Sequence, residues 1–561
     1  MKKQWVLYKP IPEVLSQELG RLLGLDPLFL QLLYNRKLED GSQIQEFLEP
    51  GPASFSDPAV LIDAKKAVSR IQRAISKKEK VIVFGDYDVD GISSTVLLVL
   101  ALGSLGANVD FYIPERVGEG YGLNKKAILD FSKQGFSLII TVDCGISSVS
   151  EVEFANQLGL DVIITDHHQT PKILPPAYAI LHPERSNKAS SVSLAGVAVA
   201  FKLVQLLLDD DRLASRQYLD LVALGTVCDV VPFLGENRAF LKNGLHLLNS
   251  RPRPGIKALL ARANSNVSKI DPFTIGYIIG PRLNAAGRLD HANLSARLLL
   301  SNDQGEIEIL ADRLEELNRE RQKILELVLE EARRQVLEKI NDEVLIVSGR
   351  NWHEGIIGLI ASSLAKEFLR PVFAIGVFGD LAKGSARSGD LDVNIVRLLE
   401  VSSAHLLKFG GHSRAAGFLL ETENLGNLSR KLLLAAKRDF QKERILPKIM
   451  IESKIGFCQI NKNLLDFLSR LEPFGEANPP PIFLSQNVKV LEAKPVGADN
   501  QHLKMKLFSD GCRLDAIGFS FGGLAKDFYY GSLVDIVYTI EENLWNGRKD
   551  IRLKIIDLKR K

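Results

Sequence analysis

The sequence predicts an α/β protein with two α/β domains joined by a long helix and followed by a small β-barrel. Three patterns support this fold class: apolar runs of strand length that end in an acid and lead into helical sequence, a densely charged amphipathic stretch, and apolar–polar alternation near the carboxyl end. Alternating strands and helices specify a mostly parallel sheet, and evenly spaced alternating strands suit a closed barrel. The predicted parts are a helical N-terminal segment at 1–60, a first α/β domain at 61–305, the connecting helix at 306–340, a second α/β domain at 341–445 and the barrel at 448–561.

Composition excludes few classes of function. The chain has 561 residues, of which 46% are hydrophobic and 25% charged, as in an ordinary soluble protein. The formal net charge of +3 is small for this length, so no overall basic field indicates a nucleic-acid partner. Evidence for such a partner must come from local sites.

The cysteines and the N-terminus bear on location. The four cysteines, Cys144, Cys228, Cys458 and Cys512, lie far apart without paired spacing, which predicts a reducing compartment and neither a disulfide framework nor a zinc ribbon. The first residues contain no apolar segment long enough for a signal peptide. We therefore expect a cytoplasmic protein without membrane association.

The first chemistry-bearing motif follows a buried strand. After an N-terminal segment broken by several prolines, residues 81–84 form an apolar run, and Asp86, Asp88 and Asp90 follow at alternate positions before Gly91. The next residues, 92–105, read as an apolar helix. Three neighbouring carboxylates repel one another, so this strand-to-helix crossing indicates a site for divalent cations.

An EF-hand loop is the main alternative interpretation of this motif. Such a loop begins Asp-x-Asp-x-Asp-Gly, but its twelfth position must be a bidentate glutamate, and that position here is Leu97. The preceding element is also a strand rather than a helix. A plain acidic surface turn is the other alternative, and it leaves the later motifs unexplained.

Later strand ends supply matching ligands. The apolar runs 137–142 and 160–165 end at Asp143 and at Asp166-His167-His168, and Asp229 follows a helical stretch. Carboxylates and imidazoles without thiols suit Mn²⁺ or Mg²⁺ better than structural zinc. The set is larger than one ion needs, which predicts a two-ion centre of the kind that hydrolyses phosphate esters, with Asp143 as the candidate bridge.

These motifs carry a family resemblance. In their order and spacing, the motifs at 86–91, 142–145, 166–168 and at Asp229 resemble those of the DHH phosphoesterase superfamily. Five further motifs, at 113–122, 281–288, 352–358, 383–388 and 410–417, resemble the single-strand-specific 5′→3′ exonucleases of that superfamily, and together they cover nearly the whole chain. The resemblance implies a DHH catalytic domain, a DHHA1 substrate-binding domain and an OB-like barrel.

The resemblance also implies residue roles. It implies that two Mn²⁺ or Mg²⁺ ions are bound, and that His168 contacts the scissile phosphate. The implied metal ligands are Asp88, Asp90, Asp143, His167 and Asp229, with Asp86 close by. Where DHH pyrophosphatases have a histidine, this chain has Phe84, so symmetrical roles for Asp86 and Asp88 are not implied.

Substrate contacts are expected in the later motifs. The resemblance implies DNA or 5′-phosphate contacts from Arg116, Arg282, Asn284, Arg288, Ser385 and Arg387. The glycines before His412 would let that histidine approach the substrate, although a structural role is equally compatible. His353 and Glu354 are not a zinc protease motif, because the position four after His353 is Ile357. We expect Trp352 and His353 to pack or to touch substrate.

The predicted function is a metal-dependent exonuclease that degrades single-stranded DNA from the 5′ end, in recombination and repair, as the resemblance implies. The alternatives are a DHH phosphoesterase for short oligonucleotides or small nucleotides, and a non-enzymatic scaffold. The expected partners are single-stranded DNA, a single-strand-binding protein and a helicase, and the expected state is a monomer. The barrel is expected to offer basic residues to a single strand, and Asn546-Gly547 to form a hairpin turn. These basic residues are Lys494, Lys504, Lys506, Arg513, Arg548, Lys549 and the terminal Lys559, Arg560 and Lys561.

Overall fold

The structure is a computed structural model of the chain. It describes residues 3–51, 54–116, 118–186, 193–208, 214–263, 267–389, 393–439, 448–545 and 548–561. The chain divides into two compact units. The barrel unit comprises Met1–Ser56, Pro232–Lys242 and Ile445–Lys561, and the sheet unit comprises Asp57–Val231 and Asn243–Arg444.

Strands and helices alternate through the sheet unit, and strands dominate the carboxyl end. The strands are β1 Gln4–Leu7, β2 Lys80–Phe84, β3 Asn108–Tyr112, β4 Phe136–Val142, β5 Asp161–Thr165, β6 Ala179–Leu181, β7 Leu345–Arg350, β8 Val372–Phe378, β9 Leu381–Arg387, β10 Lys408–His412, β11 Ala415–Glu421, β12 Lys448–Ile451, β13 Ser453–Lys454, β14 Phe483–Val496, β15 His502–Ser509, β16 Cys512–Gly518, β17 Leu533–Trp545 and β18 Arg548–Arg560.

Helices make up most of the remainder. They are α1 Glu13–Leu23, α2 Pro27–Asn35, α3 Gly41–Leu48, α4 Ala64–Ser76, α5 Val89–Ser104, α6 Lys125–Lys133, α7 Val149–Gln157, α8 Gly196–Leu207, α9 Leu219–Cys228, α10 Gly235–Ser250, α11 Pro254–Arg262, α12 Pro272–Thr274, α13 Gly280–Leu289, α14 Asn293–Leu300, α15 Gln304–Glu338, α16 Glu354–Phe368, α17 Ile395–Val401, α18 Leu425–Asp439 and α19 Lys462–Leu471. A π-helical turn, Ile275–Ile279, joins α12 to α13.

The first sheet of the sheet unit is parallel throughout. Its strand order is β3-β2-β4-β5-β6. One face packs Phe84, Ile139 and Val162 against α6 and α7, while α5 and α8 contact β2 and β4. Because these strands are buried on both faces, their sequences are continuous apolar runs. Because the strands run parallel, their carboxyl ends lie at one edge of the sheet.

The second sheet is mixed, and one long helix precedes it. Its order is β10-β11-β9-β8-β7, in which only β7 and β8 run parallel. The amphipathic stretch forms a single helix of 35 residues, α15, rather than a pair. Apolar residues on that helix, including Ala332 and Val336, pack against α16 and β7.

The carboxyl-terminal strands close into a barrel. The order is β14-β15-β16-β18-β17, and β17 pairs again with β14 to complete it. Its core contains Val490, Met505 and Ile536, and the same core includes Leu30 and Leu33 of α2. The predicted fold class, two α/β domains joined by a long helix and followed by a barrel, is confirmed.

Three details differ from expectation or lie beyond it. The N-terminal segment contains a strand, β1, which pairs in parallel with β12 and is too short for its period to be read. Cys458 and Cys512 are paired in a disulfide, so the expectation of unpaired cysteines is wrong for these two. They are 54 residues apart in sequence, and only the tertiary fold brings them together. The predicted Asn546-Gly547 turn lies outside the described residues.

Within the described ranges, no helix has both the length and the apolar character needed to cross a bilayer.

Candidate active site

The first motif places its acids at the start of a helix. Asp88 caps α5, and its Oδ1 accepts hydrogen bonds from the backbone nitrogens of Asp90 at 2.9 Å and Gly91 at 3.1 Å. Asp90 lies within the first turn of α5, because the helix begins at Val89, before the predicted start at residue 92. Its carboxylate accepts from the nitrogens of Gly196 at 2.6 Å and Val197 at 2.9 Å, at the start of α8. The amino ends of two helices therefore orient two carboxylates.

Asp143 follows β4 in a left-handed backbone conformation. Its φ is 58°, a region that non-glycine residues seldom adopt outside functional sites. A methyl group on Gly196 would come within 2.6 Å of Oδ1 of Asp143, so the glycine leaves room for this carboxylate. Burial, followed by repulsion from Asp90 and Asp88, raises the pKa of Asp143 well above its usual value. A cation at this position would relieve both penalties.

His167 lies among the carboxylates. Its Nε2 is 3.1 Å from Oδ1 of Asp143 and 3.8 Å from Oδ2 of Asp90, and its Nδ1 is 3.6 Å from Oδ2 of Asp229. Burial and the neighbouring His168 lower the pKa of His167 to about 4. The imidazole is therefore neutral near pH 7, the form that binds metal ions.

Three overlapping groups of ligand atoms converge here. They are Asp143, His167 and His168; Asp90, His167 and Asp229; and Asp86, Asp88 and Asp143. Within each group the ligand atoms lie within 4.8 Å of one another. Asp143 belongs to two groups, which is the arrangement that a bridging carboxylate requires.

The donor atoms fit divalent cations. Oδ1 of Asp86, Oδ1 of Asp143, Nε2 of His167 and Oδ2 of Asp229 are buried and have no hydrogen-bond partner within the described part of the chain. Burial and the charge of Asp88 raise the pKa of Asp90 to about 7. Buried, unpaired oxygens with one neutral imidazole make a hard ligand set suited to Mn²⁺ or Mg²⁺.

Asp166 is a residue whose role the sequence interpretation missed. This buried carboxylate accepts from Nδ1 of His168 at 2.8 Å and from the backbone nitrogen of Ile146 at 2.9 Å. Although burial alone would raise it, the hydrogen bond from His168 holds the pKa of Asp166 below its usual value. For His168, burial alone would lower the pKa, but the hydrogen bond to Asp166 stabilises the charged imidazole. The pKa of His168 is therefore raised above its usual value. Asp166 thus orients His168, and its place in the third motif was the available signal.

Tyr121 was also missed. Its hydroxyl donates to the backbone oxygen of Asp143 at 3.2 Å and lies 3.1 Å from Nδ1 of His168. The motif at 113–122 contains this tyrosine, but nothing in the motif indicates what the side chain meets.

Guanidinium groups gather beside the acids. Arg116 lies over the ring of Tyr87 at 4.7 Å from its centre, and Arg288 donates to the backbone oxygen of Gly355 at 2.8 Å. Burial, followed by repulsion from Arg116, lowers the pKa of Arg288 to about 9. Neither arginine has a carboxylate partner in the described ranges. Their positive charge is therefore left for a ligand.

The second sheet adds its own polar groups. Arg387, at the end of β9, donates to Oγ of Ser385 at 2.8 Å, and burial and then Arg116 lower its pKa. His412 ends β10, and burial, Arg387, Arg414 and His168 lower its pKa in that order. The fold therefore brings Ser385, Arg387 and His412 near residues of the first sheet.

Arg282 and Asn284, two of the predicted substrate contacts, are less available to a ligand than Arg116, Arg288 and Arg387. Nε of Arg282 donates to Oε2 of Glu315 at 2.7 Å, so its charge is already balanced. Asn284 is half-buried on α13.

Trp352 packs in the core and donates to Glu331 at 3.1 Å, and His353 caps α16. Packing, not substrate contact, is therefore the role observed for Trp352.

One further cation comes from α15, which the sequence interpretation treated as a spacer. Nη2 of Arg321 donates to Oδ1 of Asn318 at 2.9 Å, while its buried Nε has no partner in the part of the chain that is described. Burial and then Arg282 lower the pKa of Arg321, and its charge also acts on Arg288. The amphipathic sequence pattern of α15 predicts a polar face, but it does not predict which groups that face contacts.

Three family models match successive parts of the chain. Residues 80–226 match the DHH family N-terminal domain, 341–437 the DHHA1 domain and 451–557 the RecJ OB domain. The single-stranded-DNA-specific exonuclease RecJ of Bacillus subtilis is 37% identical over 99% of this chain and 71% of the relative. RecJ of Escherichia coli is 33% identical over 95% of this chain and 96% of the relative. The chain belongs to the RecJ family.

Solved RecJ structures share the fold. RecJ of Thermus thermophilus in complex with Mn²⁺ superposes with a TM-score of 0.85 at 28% identity, covering 99% of this chain and 79% of that one. Its complex with Mg²⁺ gives a TM-score of 0.80 at 27% identity, covering 100% of this chain and 78% of that one. The Thermus thermophilus protein thus holds either ion, and with the converging acids and histidines of this chain the predicted cofactor class is confirmed.

Proposed function

We propose that this chain is a metal-dependent exonuclease that hydrolyses single-stranded DNA from the 5′ end to mononucleotides, in DNA recombination and repair. One observation carries the proposal: buried carboxylate oxygens and a neutral histidine nitrogen without hydrogen-bond partners lie beside arginines without carboxylate partners, among the described residues of a RecJ family chain. Such a site can bind cations through the acids and phosphates through the arginines.

The residues that would hold the metal ions are Asp86, Asp88, Asp90, Asp143, His167 and Asp229. When bound, the ions lower the pKa of a water molecule and stabilise negative charge on the phosphate. The protein's contribution is to fix the ligands: helix amides hold Asp88 and Asp90, and Asp143 keeps an unpaired oxygen directed at the shared position.

His168 is placed to act on the scissile phosphate. Its Nδ1 bonds to Asp166, so the donor that remains for a phosphate oxygen is Nε2. The raised pKa of His168 favours the charged form, which donates the stronger hydrogen bond. Asp166 keeps this donor oriented while the bond to the leaving nucleotide breaks.

The arginine cluster suits the 5′ phosphate. Arg116, Arg288 and Arg387 lack carboxylate partners in the described ranges, and Ser385 adds a hydroxyl next to Arg387. Guanidinium groups bind phosphate oxygens in pairs. A terminal phosphate held here would set the number of nucleotides between the chain end and the metal ligands, which would give an exonuclease its polarity.

Several expectations stay predictions. They are the single-strand-binding protein and helicase partners, the monomeric state and the cytoplasmic location. A chromosomal DNA substrate would favour the cytoplasm.

The test is digestion of one long oligonucleotide, single-stranded or annealed, labelled at either end, with Mn²⁺ present. We expect mononucleotides from the 5′ end of the single strand alone. Turnover of dinucleotides without digestion of the long strand would overturn the proposal in favour of a small-substrate phosphoesterase. Absence of any hydrolysis would favour the scaffold alternative.

A further inference from the structure

Two adjacent tyrosines stand out from one end of the barrel. Tyr529 is 65% exposed and Tyr530 is 71% exposed, in the turn before β17. Each ring has a cation over it: Nζ of Lys489 lies 5.0 Å from the centre of the Tyr530 ring, and the guanidinium of Arg560 lies 5.4 Å from the centre of the Tyr529 ring. Exposed rings with cations over them provide a surface on which bases can stack beside bound phosphates.

The turn that carries them is fixed to the barrel. The backbone nitrogen of Gly531 donates to the oxygen of Val490 at 2.8 Å, and that of Val490 donates to the oxygen of Ser532 at 2.8 Å. The nitrogen of Tyr529 donates to Oγ of Ser532 at 3.1 Å. The rings are therefore held in place before any ligand arrives, which reduces the entropy lost on binding.

The two cations beside the tyrosines form no ion pair among the described residues. Neither Lys489 nor Arg560 has a carboxylate partner within the described residues. By contrast, Lys494 and Lys506, which the sequence offered as DNA contacts, both pair with Glu492 at 2.9 Å. The positive charge of Lys489 and Arg560 is therefore less neutralised than that of Lys494 and Lys506, and it complements a polyanion.

This end is not the usual ligand face of an OB barrel. That face consists of the second and third strands, here β15 and β16, with the loops between the first and second strands and between the fourth and fifth. The first of these loops is residues 497–501, and the second includes residues 546–547, which lie outside the described ranges. In the ladder between β14 and β15, Lys489 pairs with Phe508, whereas Val496 pairs with His502. At about 3.3 Å per residue, the tyrosine turn and the 497–501 loop lie roughly 20 Å apart.

The usual face has an aromatic group of its own. Phe519 is 43% exposed, and Nζ of Lys554 lies 5.6 Å from its ring centre. The ring of His502 meets Phe519 edge-on at 5.0 Å. The barrel thus carries two separate aromatic and cationic surfaces.

We propose that Tyr529 and Tyr530, with Lys489 and Arg560, form a second single-stranded-DNA contact at the end of the barrel that lies away from the 497–501 loop. Bases stack on the two rings, and the two cations bind the flanking phosphates. The inference rests on the proposed function, since it takes single-stranded DNA to be the substrate.

The test measures binding by the full-length chain in EDTA, where a 5′-fluorescein oligothymidine cannot be digested. We expect Tyr529→Ala with Tyr530→Ala to weaken binding roughly tenfold or more, because each stacked base contributes about that much. The matching Phe pair, Y529F with Y530F, keeps both rings and should bind like the parent chain. An exposed aromatic pair in the sheet unit, Phe273 and Tyr277, which are 62% and 67% exposed, provides the control when both are changed to Ala.

A second readout separates the two proposals. Photocrosslinking to an oligonucleotide that contains 5-iododeoxyuridine should yield adducts at the tyrosine pair. Parent-like binding by the double Ala variant, while the parent chain digests single-stranded DNA, would overturn this inference alone. Failure of the parent chain to digest single-stranded DNA would overturn the proposed function.

Discussion

Nδ1 of His168 lies 2.8 Å from Oδ1 of Asp166, and this hydrogen bond fixes the histidine beside the metal-ligand groups. Asp166 is buried, and it belongs to none of the three groups of converging ligand atoms. Two roles are therefore distinct: the carboxylates of the three groups are candidate metal ligands, whereas Asp166 orients His168.

The first prediction concerns that separation. Asp166→Asn should lower kcat on a single-stranded oligonucleotide by about 10²-fold or more, because a misoriented His168 loses its hydrogen bond to the phosphate. Mn²⁺ affinity should stay within about twofold. Steady-state kinetics and calorimetric Mn²⁺ titration measure the two quantities. Asp130→Asn, at an exposed position on α6, is the control and should leave kcat unchanged. Equal loss of metal affinity and kcat in Asp166→Asn would show that Asp166 supports the metal site instead.

The second prediction concerns the chain end. Arg387→Gln should remove most of the preference for a 5′-phosphorylated strand over a 5′-hydroxyl strand, because Arg387 and Ser385 are placed to hold that phosphate. The measurement compares kcat/KM for the two strands. Arg397→Gln, an exposed arginine on α17, should retain the preference. If Arg387→Gln discriminates as well as the parent chain, the phosphate is held elsewhere.

The third prediction tests whether α15 is more than a spacer. Arg321→Gln should weaken binding of single-stranded DNA and reduce the slope of log affinity against log salt by about 0.7, the value for one lost phosphate contact. Anisotropy titrations in EDTA at several salt concentrations give this slope. The control is Arg333→Gln, because that arginine on the same helix pairs with Glu367 at 2.9 Å. An unchanged slope for Arg321→Gln would leave the helix as a spacer.

The fourth prediction concerns pH. Without metal, burial and the charge of Asp88 hold the pKa of Asp90 at about 7, above its unfolded value, so this carboxyl is largely protonated at pH 5.5 and mostly ionised at pH 8. An ion must displace that proton at the lower pH. The increase in melting temperature on adding Mn²⁺ should therefore be larger at pH 8 than at pH 5.5. His167 does not reverse the trend, because its pKa of about 4 keeps it neutral throughout this range. A pH-independent increase would contradict the assignment of Asp90 as a ligand.

Much of the site was predictable from the chain because of one geometric rule. Strands that run parallel bring their carboxyl ends to one edge, so acids that follow apolar runs, such as Asp86 and Asp143, must meet. The residue Asp229 was predicted with them although it ends a helix, because the motif order required a fourth member.

The remainder depends on tertiary contacts that sequence patterns do not encode. The position of Asp90 within a helical turn follows from the α8 amides that it accepts, which are about 100 residues away in the chain. The charge on Arg321 was visible, but not the guanidinium groups that its helix face meets. The pairing of Cys458 with Cys512 arises when the barrel closes, and their spacing gave no sign of it.

The most direct test of the central claim counts the metal ions and relates them to activity. Calorimetric titration of Mn²⁺ into the parent chain should give two ions per chain, with digestion of single-stranded DNA reaching its maximum as both bind. Asp143→Ala should remain folded, bind fewer ions and hydrolyse no DNA, because its carboxylate belongs to two of the ligand groups. A single bound ion in the parent chain, or parent-like digestion by Asp143→Ala, would contradict the account.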